Sequence, residues 1–177
     1  LFNNVKQALH YIICLLLIFI VVNCFKNEQN MKKKINKLII LPTIIISLII
    51  CISGIRWMIN PEPWLLDQVA NEERLAMTFN ELFLIEGNET LGGYLKQIYR
   101  FLGLYVFGTG FVFLLFSTDK LTNSKFFRNR YLFALGLLLI SNIILGYYWI
   151  PSSHFIFIMW GAILLFLISL YNHIRLE

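Results

Sequence analysis

Arg56, Arg100, Tyr99 and Glu81 are the residues of this chain whose types and positions could meet a ligand. Each arginine lies about one turn inside an apolar run. An unpaired cation at the centre of a bilayer costs roughly 3 kcal/mol or more. Near the end of a run it can extend its guanidinium to the interface, pair with a carboxylate, or hold an anion such as a lipid headgroup. Tyr99 adjoins Arg100, and Glu81 belongs to the polar stretch between the two runs. Together the four are candidate ligand or ion-pair residues, and the only set that a lipid-modifying centre could draw on.

No other arrangement carries chemistry. Glu72-Glu73 resembles an acid/base pair, but adjacent carboxylates usually stay in water, and the calcium-loop spacing of acidic residues around a glycine is missing. His10, His154 and His173 are far apart. His154 and His173 are predicted at opposite membrane boundaries, which precludes a shared metal. Cys14, Cys24 and Cys51 all lie in apolar runs, so neither a disulfide framework nor zinc spacing arises. A Ser-His-Asp or Cys-His arrangement and a phosphate-cradling glycine loop are also missing. The reading assigns no catalytic, cofactor-binding or metal-ligating residue.

The elements that must position the four candidates are membrane spans. The 177 residues are 58% hydrophobic and only 14% charged, with a mean hydropathy of +0.70. Soluble domains carry about 25% charged residues. The apolar residues are gathered into runs of roughly 20, enough to cross about 30 Å of hydrocarbon. The expected fold is all-α: a transmembrane four-helix bundle with spans at about 38–59, 98–117, 131–150 and 154–171. Residues 31–177 form one domain. The abundance of Ile, Lys, Asn and Phe fits an AT-rich prokaryotic genome.

Residues 1–30 admit three readings: an extension upstream of a natural start at Met31, an extra transmembrane helix over 8–25, or a signal-like segment. Pro42 is expected in the first turns of the first span, where a missing N–H is tolerated. Asn60-Pro61-Glu62-Pro63 ends that span, because each proline forces its predecessor out of helical geometry.

The stretch 60–97 holds seven of the ten acidic residues. Two short helices are predicted in it, one over Pro63 to Val69 and one opening at Thr78. Thr78 and Glu81 have capping-box spacing. Leu75, Met77, Phe79, Leu82, Phe83 and Ile85 are too apolar for a free loop and should lie on the bundle or in the headgroup layer.

Lysine and arginine bias gives the orientation. Lys32, Lys33, Lys34, Lys37, Lys120, Lys125, Arg128, Arg130 and Arg175 share one side, expected to be cytoplasmic together with the C-terminus. The acidic loop then faces outward across the cell membrane. Trp57, Trp64, Tyr94, Tyr99, Tyr147, Tyr148 and Trp149 fall at the outer boundary, a level that amphipathic rings favour. Because topology explains the basic residues, the net charge of +5 does not imply nucleic acid.

Small residues recur seven apart: Ser47 and Gly54; Gly103, Gly110 and Ser117; Ala134 and Ser141; Ala162 and Ser169. That spacing keeps one face toward a neighbour and lets backbones approach. Asn142 lies mid-span and needs a partner, either Thr109 or a backbone carbonyl. The middle of every span lacks Asp, Glu and Lys, which argues against an ion-coupled transporter.

Pro61, Tyr99, Arg100, Gly103, Gly108 and Gly110 follow a pattern similar to small prokaryotic four-helix membrane proteins of the DoxX-like type. There a proline-containing stretch ends one helix, and the next begins near an arginine and an aromatic residue. The resemblance covers about residues 38–171. It implies a four-helix bundle but no activity, and it transfers no functional residue.

The expectation is therefore a small integral membrane protein that is non-enzymatic: structural, accessory or partner-binding. The alternatives are a small-solute facilitator or oligomeric channel, and a lipid-binding or lipid-modifying protein of the outer leaflet. The expected partners are the bilayer and a protein partner or second copy. No cofactor is expected.

Overall fold

The computed structural model describes residues 31–118 and 123–176, with side chains from residue 36 onward. The helix expected at 8–25, like every reading of residues 1–30, lies outside them. The elements run α1 (Met31–Ile59), a 3₁₀ turn (Pro63–Asp67), α2 (Gln68–Leu75), α3 (Phe79–Leu84), α4 (Leu91–Phe116), α5 (Lys125–Trp149) and α6 (Phe155–Leu176). The fold is all-α. Four helices, α1 from Asn36 onward, α4, α5 and α6, are long and apolar enough to cross a membrane.

These helices outrun the apolar stretches because hydrogen bonding, not hydropathy, sets their ends. α5 starts at Lys125, six residues before the expected 131. The Phe127 N–H donates to Ser124 Oγ at 3.4 Å and the Arg128 N–H to the Ser124 carbonyl at 2.9 Å. α4 starts at Leu91 rather than 98, where the Tyr94 N–H reaches the Thr90 carbonyl at 3.1 Å.

Since α1 begins at Met31, Pro42 is an interior residue of the helix, not a first-turn one. Its ring disturbs the preceding turn and gives no N–H to the Leu38 carbonyl. The next carbonyl, of Ile39, accepts from Ser169 Oγ of α6 at 2.9 Å. The proline thus marks where α6 attaches to α1.

α1 is the hub: α4 packs along one side of it and α6 along another, with α5 resting on α6. The α1–α4 seam is made by glycine. A Cβ built on Gly54 would lie 2.4 Å from the Phe107 nitrogen and 2.6 Å from the Gly103 oxygen; one on Gly103 would lie 2.7 Å from the Gly54 oxygen, and one on Gly110 2.7 Å from the Cys51 nitrogen. The seven-residue spacing therefore reads correctly for Ser47, Gly54, Gly103 and Gly110, and for buried Ala162 and Ser169 on α6. It fails on α5, where Ala134 and Ser141 are exposed. That helix turns Leu132, Leu135 and Leu139 inward to meet Ile46, Ala162 and Leu165.

At the basic end, α4 and α5 close on each other. Ser117 Oγ and the Tyr131 hydroxyl are 2.7 Å apart, and the Phe113 and Tyr131 rings meet edge-on at 5.5 Å. Thr43 Oγ1 joins Ser117 at 3.3 Å. Arg128 and His173 are both buried there, with Arg128 Nε donating to His173 Nδ1 at 2.7 Å.

Candidate ligand-binding cavity

Toward the opposite end a cavity of about 420 Å³ lies between the four long helices. Small-molecule sites span about 300–1,000 Å³. α1 contributes Ile49, Ile50, Ser53 and Trp57; α4 contributes Tyr99, Leu102, Val106 and Thr109; α5 contributes Leu138, Leu139 and Asn142; α6 contributes Phe155, Ile158, Met159 and Ala162. Leu102 and Tyr105 line it while being 43% and 70% exposed, so the α4 side is open laterally. The inner wall is aliphatic. Ser53 and the two polar residues at mid-depth add little, because Thr109 Oγ1 donates to the Tyr105 carbonyl and Asn142 Nδ2 to the Leu138 carbonyl, both at 2.8 Å. Each bonds on its own helix, four residues back, so of the two partners expected for Asn142 the structure shows a backbone carbonyl, that of Leu138, rather than Thr109.

The polar stretch folds over the end of the cavity far from the basic end, as a cap. Its apolar residues form their own small core: Trp64 packs at 5.5 Å on Phe83 and at 6.2 Å on Phe79. Trp64 is therefore buried within the cap. α3 is opened by the expected capping box. Thr78 Oγ1 accepts from the Glu81 N–H at 3.2 Å, and Glu81 Oε2 accepts from the Thr78 N–H at 2.8 Å.

From the 3₁₀ turn and α2, Asp67 and Asn71 point one helical turn apart and both line the cavity. Asn71 Nδ2 donates to the Trp64 carbonyl at 2.9 Å and to the Tyr99 hydroxyl at 3.1 Å. Asp67 Oδ1 lies 3.2 Å from His154 Nδ1 in the α5–α6 connection. Two further contacts tie the cap to that connection: Ser152 Oγ donates to Glu73 Oε2, and the Arg74 guanidinium sits 5.5 Å from the centre of the Trp149 ring.

Of the four residues singled out from sequence, Tyr99 alone lines the cavity. Arg56 and Arg100 are exposed and outside its lining, and Glu81 is an exposed capping carboxylate. The structure does not bring the four together. Asp67 and Asn71 were not singled out from the sequence, and His154 was weighed only as a metal ligand. An aspartate and asparagine at i and i+4 beside Trp64-Leu65-Leu66 could have signalled a polar edge facing the bundle, but nothing in the sequence links them to His154.

No known protein family, curated protein or solved structure matches the chain. The cavity is consequently interpreted on its own chemistry. It combines an aliphatic chamber, a lateral opening and a polar rim at one end, the shape of an amphipathic molecule.

The capping box gives a pH-dependent prediction. The Thr78 backbone N–H, and next its hydroxyl, hold the Glu81 carboxyl below the ordinary glutamate value. A depressed folded-state value stabilises above the unfolded-state value and is lost as pH falls through the folded one. Acidification should therefore fray α3 below about pH 4, the ordinary glutamate range. Replacing Thr78 with Ala removes the hydroxyl but keeps the backbone N–H, so the Glu81 titration, read by carboxyl NMR, should rise only part of the way toward that range. An unchanged titration in Thr78→Ala would refute the assignment.

Proposed function

We propose that this is a non-enzymatic integral membrane protein that holds one amphipathic molecule in its interhelical cavity, tail inward and polar end under the cap. The supporting observation is the cavity itself. An apolar void of this size leaves its walls without dispersion partners. In a bilayer a hydrocarbon tail entering between α4 and α5 supplies them. The basic end favours a binder over a pore, because Phe113, Ser117 and Tyr131 join α4 and α5 there.

The cap faces outward and the lysine-rich ends face the cytoplasm, as the charge bias and the exposed Tyr94, Tyr147, Tyr148 and Trp149 support. In a variant lacking the native cysteines, a cysteine at Glu86 should react with an impermeant thiol reagent on intact cells. Reaction only after permeabilisation would invert the orientation.

Binding is tested by native mass spectrometry of protein released from membranes in mild detergent. One amphiphile per chain is expected to survive detergent removal. A chain that retains none, or a dimer whose interface covers the α4–α5 opening instead, would overturn the proposal.

A further inference from the structure

The proposed binding role leaves the polar end of the ligand open, and the rim residues narrow it. We infer that the bound molecule carries an ammonium group attached to its apolar body, and that Asp67 is its counter-ion. This inference rests on the cavity being a binding site.

Three observations converge. First, among the described residues the cavity lining has one carboxylate and no lysine or arginine: Asp67 lines the cavity, whereas Arg56 and Arg100 do not. Second, Asp67 is well shielded, its side chain 11% exposed. A charge in so poorly solvated a place interacts more strongly with a partner than it would in water. His154 contacts Oδ1, and Oδ2 has no partner among the described residues. An anionic headgroup would meet this carboxylate unfavourably, while an ammonium would pair with it.

Third, aromatic rings stand at the same end of the cavity as the carboxylate. Trp57 stands edge-on to Phe155 at 5.5 Å and to Tyr99 at 6.5 Å, with interplanar angles of 68° and 71°. All three line the cavity. Rings set nearly perpendicular offer more than one face to one volume, and an ammonium over an aromatic face is attracted by the ring quadrupole. Asn71 braces the arrangement by donating to the Tyr99 hydroxyl.

The test uses the full chain in lipid nanodiscs and three amphiphiles with the same undecyl chain, each brominated on the third carbon from its trimethylammonium, hydroxyl or sulfate head so that the bromine lies near Trp57 when the head is at the rim. Bromine quenches tryptophan on contact, and Trp57 reports entry; Trp149→Phe/Trp160→Phe protein removes two exposed reporters. The ammonium compound should quench saturably with at least tenfold higher affinity than the alcohol, and the sulfate should be weakest. Asp67→Asn should weaken the ammonium compound about tenfold and leave the alcohol unchanged. Asp67→Glu should restore part of the preference.

Equal binding of all three chains, or an equal loss for ammonium and alcohol in Asp67→Asn, would overturn the ammonium assignment while the binding role stands. Saturable quenching by none of them would overturn the binding role itself. A phosphatidylcholine brominated in its chain distinguishes the source. If it matches the simple ammonium in affinity and in sensitivity to Asp67→Asn, the ligand is a lipid headgroup; weaker binding points to a free cationic amphiphile.

Discussion

Gly54→Ala is expected to destabilise the protein by about 2–3 kcal/mol, the upper range for overpacking a filled interior, and Gly54→Val to prevent α1 and α4 from pairing. The new Cβ would lie 2.4 Å from the Phe107 nitrogen and 2.6 Å from the Gly103 oxygen. Those are backbone atoms, so the clash cannot be relieved by turning a side chain. Relief requires the two helices to separate, which breaks contacts along the whole seam, including the Gly103 and Gly110 approaches. Within a membrane such close packing, rather than burial from water, is what holds helices together. Gly108 is the control: it lies on the same helix as Gly103 and Gly110, and a Cβ there meets nothing within 4 Å. Gly108→Ala should be neutral or slightly stabilising. Unfolding in graded mixtures of mild and denaturing detergent gives both values. Equal midpoints for Gly54→Ala and Gly108→Ala would show that the seam is wrongly placed.

Filling the cavity should separate folding from binding. Ser53 lines the chamber from α1, and Ser53→Phe places a ring where the tail is proposed to lie. Occupancy of the retained amphiphile should fall at least tenfold, a change of about 1.4 kcal/mol or more in binding. Stability of the empty protein should hold or rise, because the ring fills space that protein atoms leave vacant. Ser141→Phe, on the exposed face of α5, makes the same exchange without entering the cavity and should change neither quantity. Native mass spectrometry with detergent unfolding reads both. A Ser53→Phe protein that keeps its amphiphile at full occupancy would place the ligand elsewhere.

The four long helices were legible in sequence because a run of about 20 apolar residues has few alternatives. Their ends were not, since Ser124 and Thr90 begin helices in segments that hydropathy alone assigns to loops. The Thr78–Glu81 box was read correctly because capping is a local event, closed within four residues. Helix rotation was read only in part. Gly54, Gly103 and Gly110 turn toward a partner because glycine allows backbone contact, whereas Ala134 and Ser141 share the spacing and face outward because α5 packs through larger leucines on α6.

The site was the least legible feature. Its rim is assembled from Asp67 and Asn71 in the cap, Trp57 and Tyr99 on two spans, and Phe155 after the last turn, segments whose proximity depends on tertiary folding. Arg56 and Arg100 drew attention because charges near hydrocarbon are conspicuous. The residues that shape the rim are an aspartate that looked like part of a solvated acidic loop and aromatics that looked like a boundary belt.

The central claim is that an amphiphile's tail occupies the space between α4 and α5. Photolabelling in native-lipid nanodiscs with an alkylammonium carrying a diazirine near the end of its chain tests it directly. The account predicts saturable labelling of Thr109, Asn142 and Met159, removed by Ser53→Phe. Labelling confined to outward residues such as Phe101, Phe133 and Ile144, insensitive to that substitution, would contradict it.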